Sequence, residues 1–315
     1  MLSAETLAAA IDDDADAIDD IAALAATHPH EVAPHLPRLL DAGLLWPPQI
    51  YRPLDEDTQR ALVARIEAGT DPAAAQFLDV LAFARGADAE RAFRRWRDEP
   101  PAGCAAAAVE RSTIEAGWLV TGDGIRELQA AVAYELVPGG GDAPVDDDAH
   151  CPWCGAPLWV ALDVDTEADE RVAAAPAHTG WSGRLRVTPC LVCSCVGPSF
   201  FRVASDGGAA WSPHTRKPDW YTPGPPERPG TVPPAVGPAR ATPHGASAWG
   251  KGGSTLGGSP DWIQDPHDMR CPECGSPMSY VGLVGGADLG EYGEGAWYVF
   301  LDAPCGLVAV EYQQS

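Results

Sequence analysis

The chain has 315 residues, with 21 Lys+Arg against 45 Asp+Glu and a formal net charge of −24. Phosphate backbones are gripped by Lys and Arg that displace counterions, so this balance argues against nucleic acid as a partner. It also argues against anionic membranes and suits a basic protein.

The N-terminus "MLSAETLAAAIDDDADAIDD" has neither the basic start nor the apolar core of a targeting segment. No apolar run approaches the ~18–20 residues of a membrane span. A cytoplasmic location is therefore expected. In that reducing setting the nine cysteines read as metal ligands and buried thiols rather than disulfides.

Residues 1–102 read as an α-helical, HEAT-like array. "LAAAIDDDADAIDDIAALAAT" sets Ile11, Ile18, Ile21 and Leu24 at helical spacing. "DEDTQRALVARIEAG" (55–69) puts Leu62, Val63 and Ile66 on one face. "TDPAAAQFLDVLAFARG" predicts a third helix, with Asp71 as N-cap, Pro72 at its first position and Gly86 at its stop. "ADAERAFRRWRDEPP" is a fourth, ended by two prolines, and holds the longest basic cluster, "RAFRRWR" (91–97). Short amphipathic helices joined by short loops suit a stacked array. No regular period runs through them, and a plain bundle is the simpler alternative.

Residues 103–149 form a connecting segment, with a strand at 116–121, a turn at "GDG", an extended or helical return, and a loop over 139–149. The remainder is strand-rich: "GRLRVTPC", "SFFRVAS" and "AWYVFLDAP". The Pro/Gly-dense stretch 212–256 cannot build a core of its own and reads as a linker. Trp211, Trp220, Tyr221 and Trp249 mark places where parts of it dock.

The strongest signal is a repeat. "CPWCGAPLWVALDV" from 151 is followed by "RVTPCLVCSC", and "CPECGSPMSYVGLV" from 271 by "YVFLDAPCGL". Val187 aligns with Val299, Cys190 with Asp302, and Cys193 with Cys305. The gap from Cys154 to Cys190 is 35 residues and from Cys274 to Asp302 it is 27.

A structural zinc site takes four tetrahedral ligands, commonly thiolates from paired knuckles. The first unit (150–211) offers Cys151, Cys154, Cys190 and Cys193, with Cys195 as a substitute for Cys193. The second (257–315) offers Cys271, Cys274, Cys305 and Asp302, carboxylate being an acceptable zinc ligand. His267 is a rival fourth ligand. The alternative for the second unit is a degenerate ribbon held by strand packing alone. The expected fold class is α+β, a helical array followed by a β-rich, internally duplicated domain containing zinc ribbons.

Other motifs fail on spacing. His30 and His35 are five apart with Pro34 between them, which no i, i+4 metalloprotease pair tolerates. "GASAWGKG" (245–252) ends in Gly252, where a P-loop needs Ser or Thr. "PCLVC" (189–193) lacks the upstream half of a deaminase motif. His178 and His214 read as surface or packing residues.

"LGGSPDWIQDPHDMRCPECGSPMSYVGLV" followed by "GAWYVFLDAPCG" resembles the YwqG-like family of bacterial proteins, itself related to programmed cell death protein two and its ribosome-biogenesis relatives. The matched pieces are Gly257, Gly258, Pro260 and Trp262, the C-P-x-C-G knuckle and the Y-V-F strand. The resemblance implies a β-rich, pseudo-duplicated domain and a protein-binding role, since the eukaryotic relatives look like chaperones for a basic ribosomal protein. A cysteine would be expected where Asp302 stands.

The expected function is thus a zinc-stabilised protein-interaction module, adaptor- or chaperone-like, with a toxin-neutralising immunity-type protein as a variant. A metal-dependent hydrolase at the three-cysteine site is the enzymatic alternative. A nucleic-acid-binding ribbon would need a basic face around Arg184, Arg186 and Arg202.

Overall fold

The computed structural model describes residues 2–139, 146–224, 233–244, 253–285, 288 and 295–314, the side chains of 146–148 excepted. "GASAWGKG" and Trp249 lie outside these residues. The described chain is mixed helix and sheet, an α+β protein, and clusters into two compact units.

The first unit runs to Arg126 and takes in Pro266–Asp268. It contains α1 (Ala4–Ile11), α2 (Ala15–Thr27), α3 (Pro29–Val32), α4 (Leu36–Asp41), α5 (Glu56–Glu67), α6 (Ala74–Ala84), α7 (Ala87–Asp98) and α8 (Ala106–Ala116), then strand β1 (Trp118–Val120). The opening helical pattern is broken in two. Asp13 takes a left-handed φ of 66°, and the Asp14 carboxylate accepts from the Asp16 and Ala17 amides to start α2. Short acidic side chains compete for backbone donors and so favour caps over helix interiors.

The third helix also starts and stops differently from its sequence signals. Ala73, not Asp71, precedes it. Asp71 instead accepts from the Ala73 amide and pairs with Arg65 at 2.5 Å. Arg85 makes the left-handed stop, and Gly86 becomes the N-cap of α7. A Cβ on Gly86 would lie 2.4 Å from Gln59 Oε1, whose oxygen accepts the Gly86 N–H at 2.8 Å.

Ile21, Leu36, Tyr51, Phe77, Phe93 and Trp118 anchor one core. The basic run on α7 splits by face. Phe93 and Trp96 are buried, while Arg91, Arg95 and Arg97 pair with Asp88, Glu67 and Asp98. A cavity of about 380 Å³ is lined by Phe93, Arg97, Val109, Glu110, Thr113 and Val120 among others.

The second unit follows β2 (Ile125–Glu127). Its strands are β3 (Ala133–Val137), β4 (Asp146–His150), β5 (Pro157–Leu158), β6 (Leu162–Asp165), β7 (Arg184–Val187), β8 (Ser199–Val203), β9 (Ala209–Trp211), β10 (Ala235–Ala239), β11 (Thr255–Gly257), β12 (Ser279–Gly285), β13 (Gly295–Asp302) and β14 (Leu307–Gln314). A short helix α9 (Glu170–Ala174) lies between β6 and β7. Eight strands form one sheet in the order β10-β3-β11-β12-β13-β14-β8-β9, antiparallel at each pairing given.

Strand β13 is buried along its whole length, which is why "AWYVFL" reads as an unbroken apolar run before Asp302. Side chains alternate across a strand. Trp297, Val299 and Leu301 enter one core with Val281 and Val308. Tyr298 and Phe300 enter another with Trp262 and Tyr280. Strand β10 lies inside the Pro/Gly-dense stretch. It stands at the sheet edge, and Pro238 falls where its register with β3 slips, between Val236 and Ala239. An edge or a bulge is where a strand tolerates proline.

Candidate metal centres

Each cysteine segment folds by the same local rules. In the first, the Cys151 N–H donates to Ala156 O at 2.8 Å and the Gly155 N–H to Cys151 O at 2.9 Å. In the second, the Cys271 N–H donates to Ser276 O at 2.9 Å and the Gly275 N–H to Cys271 O at 2.8 Å. Gly155 and Gly275 have φ of 77° and 76°, the left-handed turn that glycine adopts without steric cost. His150 pairs with Pro157, and Arg270 pairs with Pro277 in the same register. Beyond the knuckles, Trp159 bonds to Pro189 and Ser279 faces Leu301. These are equivalent positions counted from each pair of ligands.

The structure brings Cys151, Cys154, Cys190 and Cys193 into one group, and Cys271, Cys274, Asp302 and Cys305 into another. In each, the ligand atoms lie within 4.8 Å of one another, and each group can hold a metal ion. His267 is outside the second group. Cys195 is outside the first, its thiol directed at Leu191 O at 3.4 Å.

A tetrahedral ion with bonds of about 2.3 Å to sulfur sets its sulfurs ~3.8 Å apart. The Cys154 and Cys190 sulfurs are 3.6 Å apart, so the first group fits. In the second, the Cys274 thiol donates to Asp302 Oδ2 at 3.0 Å. That proton must leave before an ion can take both donors.

Asp302 divides between its two oxygens the two tasks that Cys190 performs with one sulfur. Cys190 Sγ accepts the Cys193 N–H at 3.4 Å and faces Cys154 Sγ. Asp302 Oδ1 accepts the Cys305 N–H at 3.1 Å, while Oδ2 faces Cys274 Sγ. Burial pushes the Asp302 carboxyl up, but hydrogen bonds from Cys274, the Cys305 amide and Cys271 outweigh it and hold the group below the usual carboxylate range. The carboxylate is thus the form present at neutral pH, as a ligand must be.

Among the thiols, the hydrogen bond with Cys190 draws Cys151 down and drives Cys190 up, since one proton serves the pair. Burial pushes Cys193 and Cys305 up to about 12.

The surroundings of the two groups differ. Trp153, Trp211 and Tyr221 pack on the first, and the Tyr221 hydroxyl lies 3.6 Å from Cys193 Sγ. The Trp153 and Ala156 amides add N–H···S contacts of 3.4 Å. Trp220 is 75 % exposed beside Tyr221. Around the second group, Glu273 binds both Arg202 and His214, and Arg202 also donates to Cys305 O at 2.9 Å. Arg184 and Arg186 both pair with Asp163. The His178 Nε2–H donates to Tyr280 O at 2.9 Å, and the ring is a packing residue. Tyr221, Glu273 and Arg202 carry no sequence pattern that marks them as neighbours of a metal ligand; only the aromatic cluster near 211–221 hinted at docking.

The glycines of "GGSPDW" are packing devices. Gly257 and Gly258 have φ of 77° and 71°, and a Cβ would lie 2.5 Å from Val132 O and 2.4 Å from Pro243 O respectively. Pro260 is buried, and Trp262 stacks on Tyr298 with ring centres 4.7 Å apart.

The fold and the clusters define a mixed α+β protein with two cysteine-rich groups, each able to hold a metal ion. The chain is similar to the uncharacterized protein YpfL of Salmonella typhimurium strain LT2, 28% identical over 246 residues, which are 71% of this chain and 55% of that protein. The chain therefore spans about half the length of this relative. No family model matches the chain, and no solved structure matches it. No described helix is long and apolar enough to cross a membrane.

Proposed function

We propose that this chain is a zinc-stabilised protein-interaction module, adaptor- or chaperone-like, whose client is a basic protein. The observation that carries the proposal is the recurrence of one knuckle geometry at two places, each closing four donors to within 4.8 Å. Thiolate-rich tetrahedral sets select zinc, and Cys-rich closed sites stabilise folds rather than turn over substrates. Zinc bound there links the knuckles to strands β7, β8, β13 and β14, so metal binding and folding of the second unit are coupled. Three thiolates with Asp302 fill four coordination positions and leave none for a hydrolytic water, which favours a structural role over a metal-dependent hydrolase.

In the first unit, α5 packs on α6 and α7, and α6 on α8, a succession in keeping with a HEAT-like stack. The cavity of about 380 Å³ falls in the size range of binding pockets. Asp12, Asp13, Asp14, Asp16, Asp19 and Asp20 are all exposed at the α1–α2 junction, a surface suited to a cationic client. Arg184, Arg186 and Arg202 are occupied by carboxylates, which speaks against a phosphate-binding face. The resemblance to the YwqG-like family, and through it to programmed cell death protein two, belongs to the same proposal.

The test is capture of proteins on the immobilised, zinc-loaded full chain, against a variant with Asp12, Asp13, Asp16, Asp19 and Asp20 all changed to Asn. A basic protein should be retained by the wild type, released at about 0.5 M salt as screening sets in, and lost from the variant. Retention of nothing above control, or of the same proteins by both chains, would overturn the proposal.

A further inference from the structure

We infer that the two clusters are metal sites of different kinds. The Cys151 cluster is a closed, permanent site, and the Cys271 cluster is an exchangeable divalent-metal site in which Asp302 sets metal preference and release. This rests on the zinc reading proposed above.

Formal charge does not separate the sites. Four thiolates, or three thiolates and a carboxylate, carry the same four negative charges. Access and donor chemistry do separate them. In the first cluster Cys151, Cys190 and Cys193 are buried and Cys154 is half-buried. Trp153, Trp211 and Tyr221 cover it. In the second, Cys274 is exposed and Cys305 half-exposed. Metal exchange proceeds through an incoming ligand that reaches the ion while an outgoing one detaches, so an exposed thiolate is the place where a competing ligand enters.

The donor atoms point the same way. Soft thiolates hold zinc and cadmium tightly, while a carboxylate suits harder ions. Replacing one sulfur by Asp302 weakens the grip on soft ions and relatively favours cobalt. The shell around the ligands also differs. Cys151, Cys154 and Cys190 in the first cluster each accept a backbone N–H at 3.4 Å, and Cys193 meets the Tyr221 hydroxyl at 3.6 Å. Such outer partners fix ligand orientation and are worth about 10–100-fold in metal affinity. In the second cluster Cys271 likewise faces the Glu273 and Cys274 amides and Asp302 Oδ1 takes the Cys305 amide, so the outer partner that sets the first shell apart is the Tyr221 hydroxyl. Glu273 is held from outside by Arg202 and His214, and Cys274 stays open to solvent.

The experiment uses the full chain loaded with zinc, its content measured by elemental analysis, then mixed with excess 4-(2-pyridylazo)resorcinol, whose zinc complex is read by absorbance. One zinc per chain should leave at least about tenfold faster than the other, the lower end of the range for lost outer partners. Asp302→Cys should slow the fast phase toward the slow one, and Tyr221→Phe should speed only the slow phase.

A second measurement on the wild type does not depend on the variants folding. Cobalt added to the zinc-loaded chain should enter one site first, with a thiolate-to-cobalt charge-transfer band from three sulfurs. After full replacement the second site should contribute the larger band of four. Equal release rates, a fast phase indifferent to Asp302→Cys in a folded variant, or first entry of cobalt into the four-sulfur site would overturn the inference and leave the zinc reading standing. A chain that binds no zinc would overturn both.

Discussion

Tyr298 on β13 and Tyr280 on β12 sit in the same buried cluster, yet removing their hydroxyls should have different consequences. The Tyr298 hydroxyl donates to Asp261 O at 2.6 Å and accepts the Ile263 N–H at 3.0 Å. It thereby holds the loop that carries Trp262 over its ring. Tyr298→Phe strands two buried backbone groups, each costing about 1–3 kcal/mol, so the second unit should lose about 2–6 kcal/mol.

The Tyr280 hydroxyl is buried without a well-formed hydrogen bond among the described residues, although the Thr255 hydroxyl is close by. Burying a hydroxyl unbonded costs about 1–3 kcal/mol. Tyr280→Phe should therefore be neutral or stabilising, while its edge contact with Phe300, 5.8 Å between ring centres, survives. Urea unfolding of the zinc-loaded chain, followed by near-ultraviolet ellipticity, reads both. With a slope of about 2–3 kcal/mol per molar, Tyr298→Phe should lower the midpoint by about 1–2 M and Tyr280→Phe should not lower it. Equal losses in the two variants would refute the reasoning, because the same hydroxyl would then be worth the same with and without partners.

Three further outcomes are expected. Asp261 is 5 % exposed with Arg240 at 3.7 Å, and burial pushes its carboxyl up to about 6 despite that arginine. A folded value above the unfolded 3.8 means the fold binds the extra proton, so this group favours folding at low pH and costs stability as pH rises through about 4 to 6. Asp261→Asn should erase that component and gain about 3 kcal/mol at pH 7, seen as the difference between wild-type and variant denaturation curves across pH; a constant difference would contradict it. Gly257→Ala should destabilise more than Gly275→Ala, because both have left-handed φ but only Gly257 meets backbone, Val132 O at 2.5 Å; thermal melts of the two variants check the order. Cys195→Ala should leave metal content unchanged and Cys190→Ala should lower it by one ion per chain, read by elemental analysis.

Some of this molecule can be read from its residues alone. The C-P-x-C-G knuckles stand out because a thiolate pair needs glycine in the left-handed turn behind it, and that glycine leaves a mark in the sequence. The pairing of Asp302 with Cys190 follows from aligning the two copies. Helix α8 is hidden because its buried face includes Ser112 and Thr113, which no hydrophobic periodicity registers. Ser112 is satisfied there by Asp79 Oδ1 at 2.5 Å and Ala108 O at 3.0 Å. The break at Asp13 is hidden by an apolar spacing that continues across it.

Long-range pairing leaves no local trace. Nothing in "SFFRVAS" says that β8 lies against β14, more than a hundred residues later, or that Tyr221 reaches the Cys193 sulfur. The glycines of "GGSPDW" look like a ligand motif until their close approach to Val132 and Pro243 shows what they make room for.

The central claim is that Asp302 serves as the fourth ligand in a second zinc site built on the pattern of the first. Elemental analysis of the purified full chain tests it most directly, on wild type and Asp302→Ala, with Cys154→Ser as a first-site control. Two zinc ions per chain in the wild type and one in each variant are predicted; a single zinc retained equally by wild type and Asp302→Ala would contradict the account.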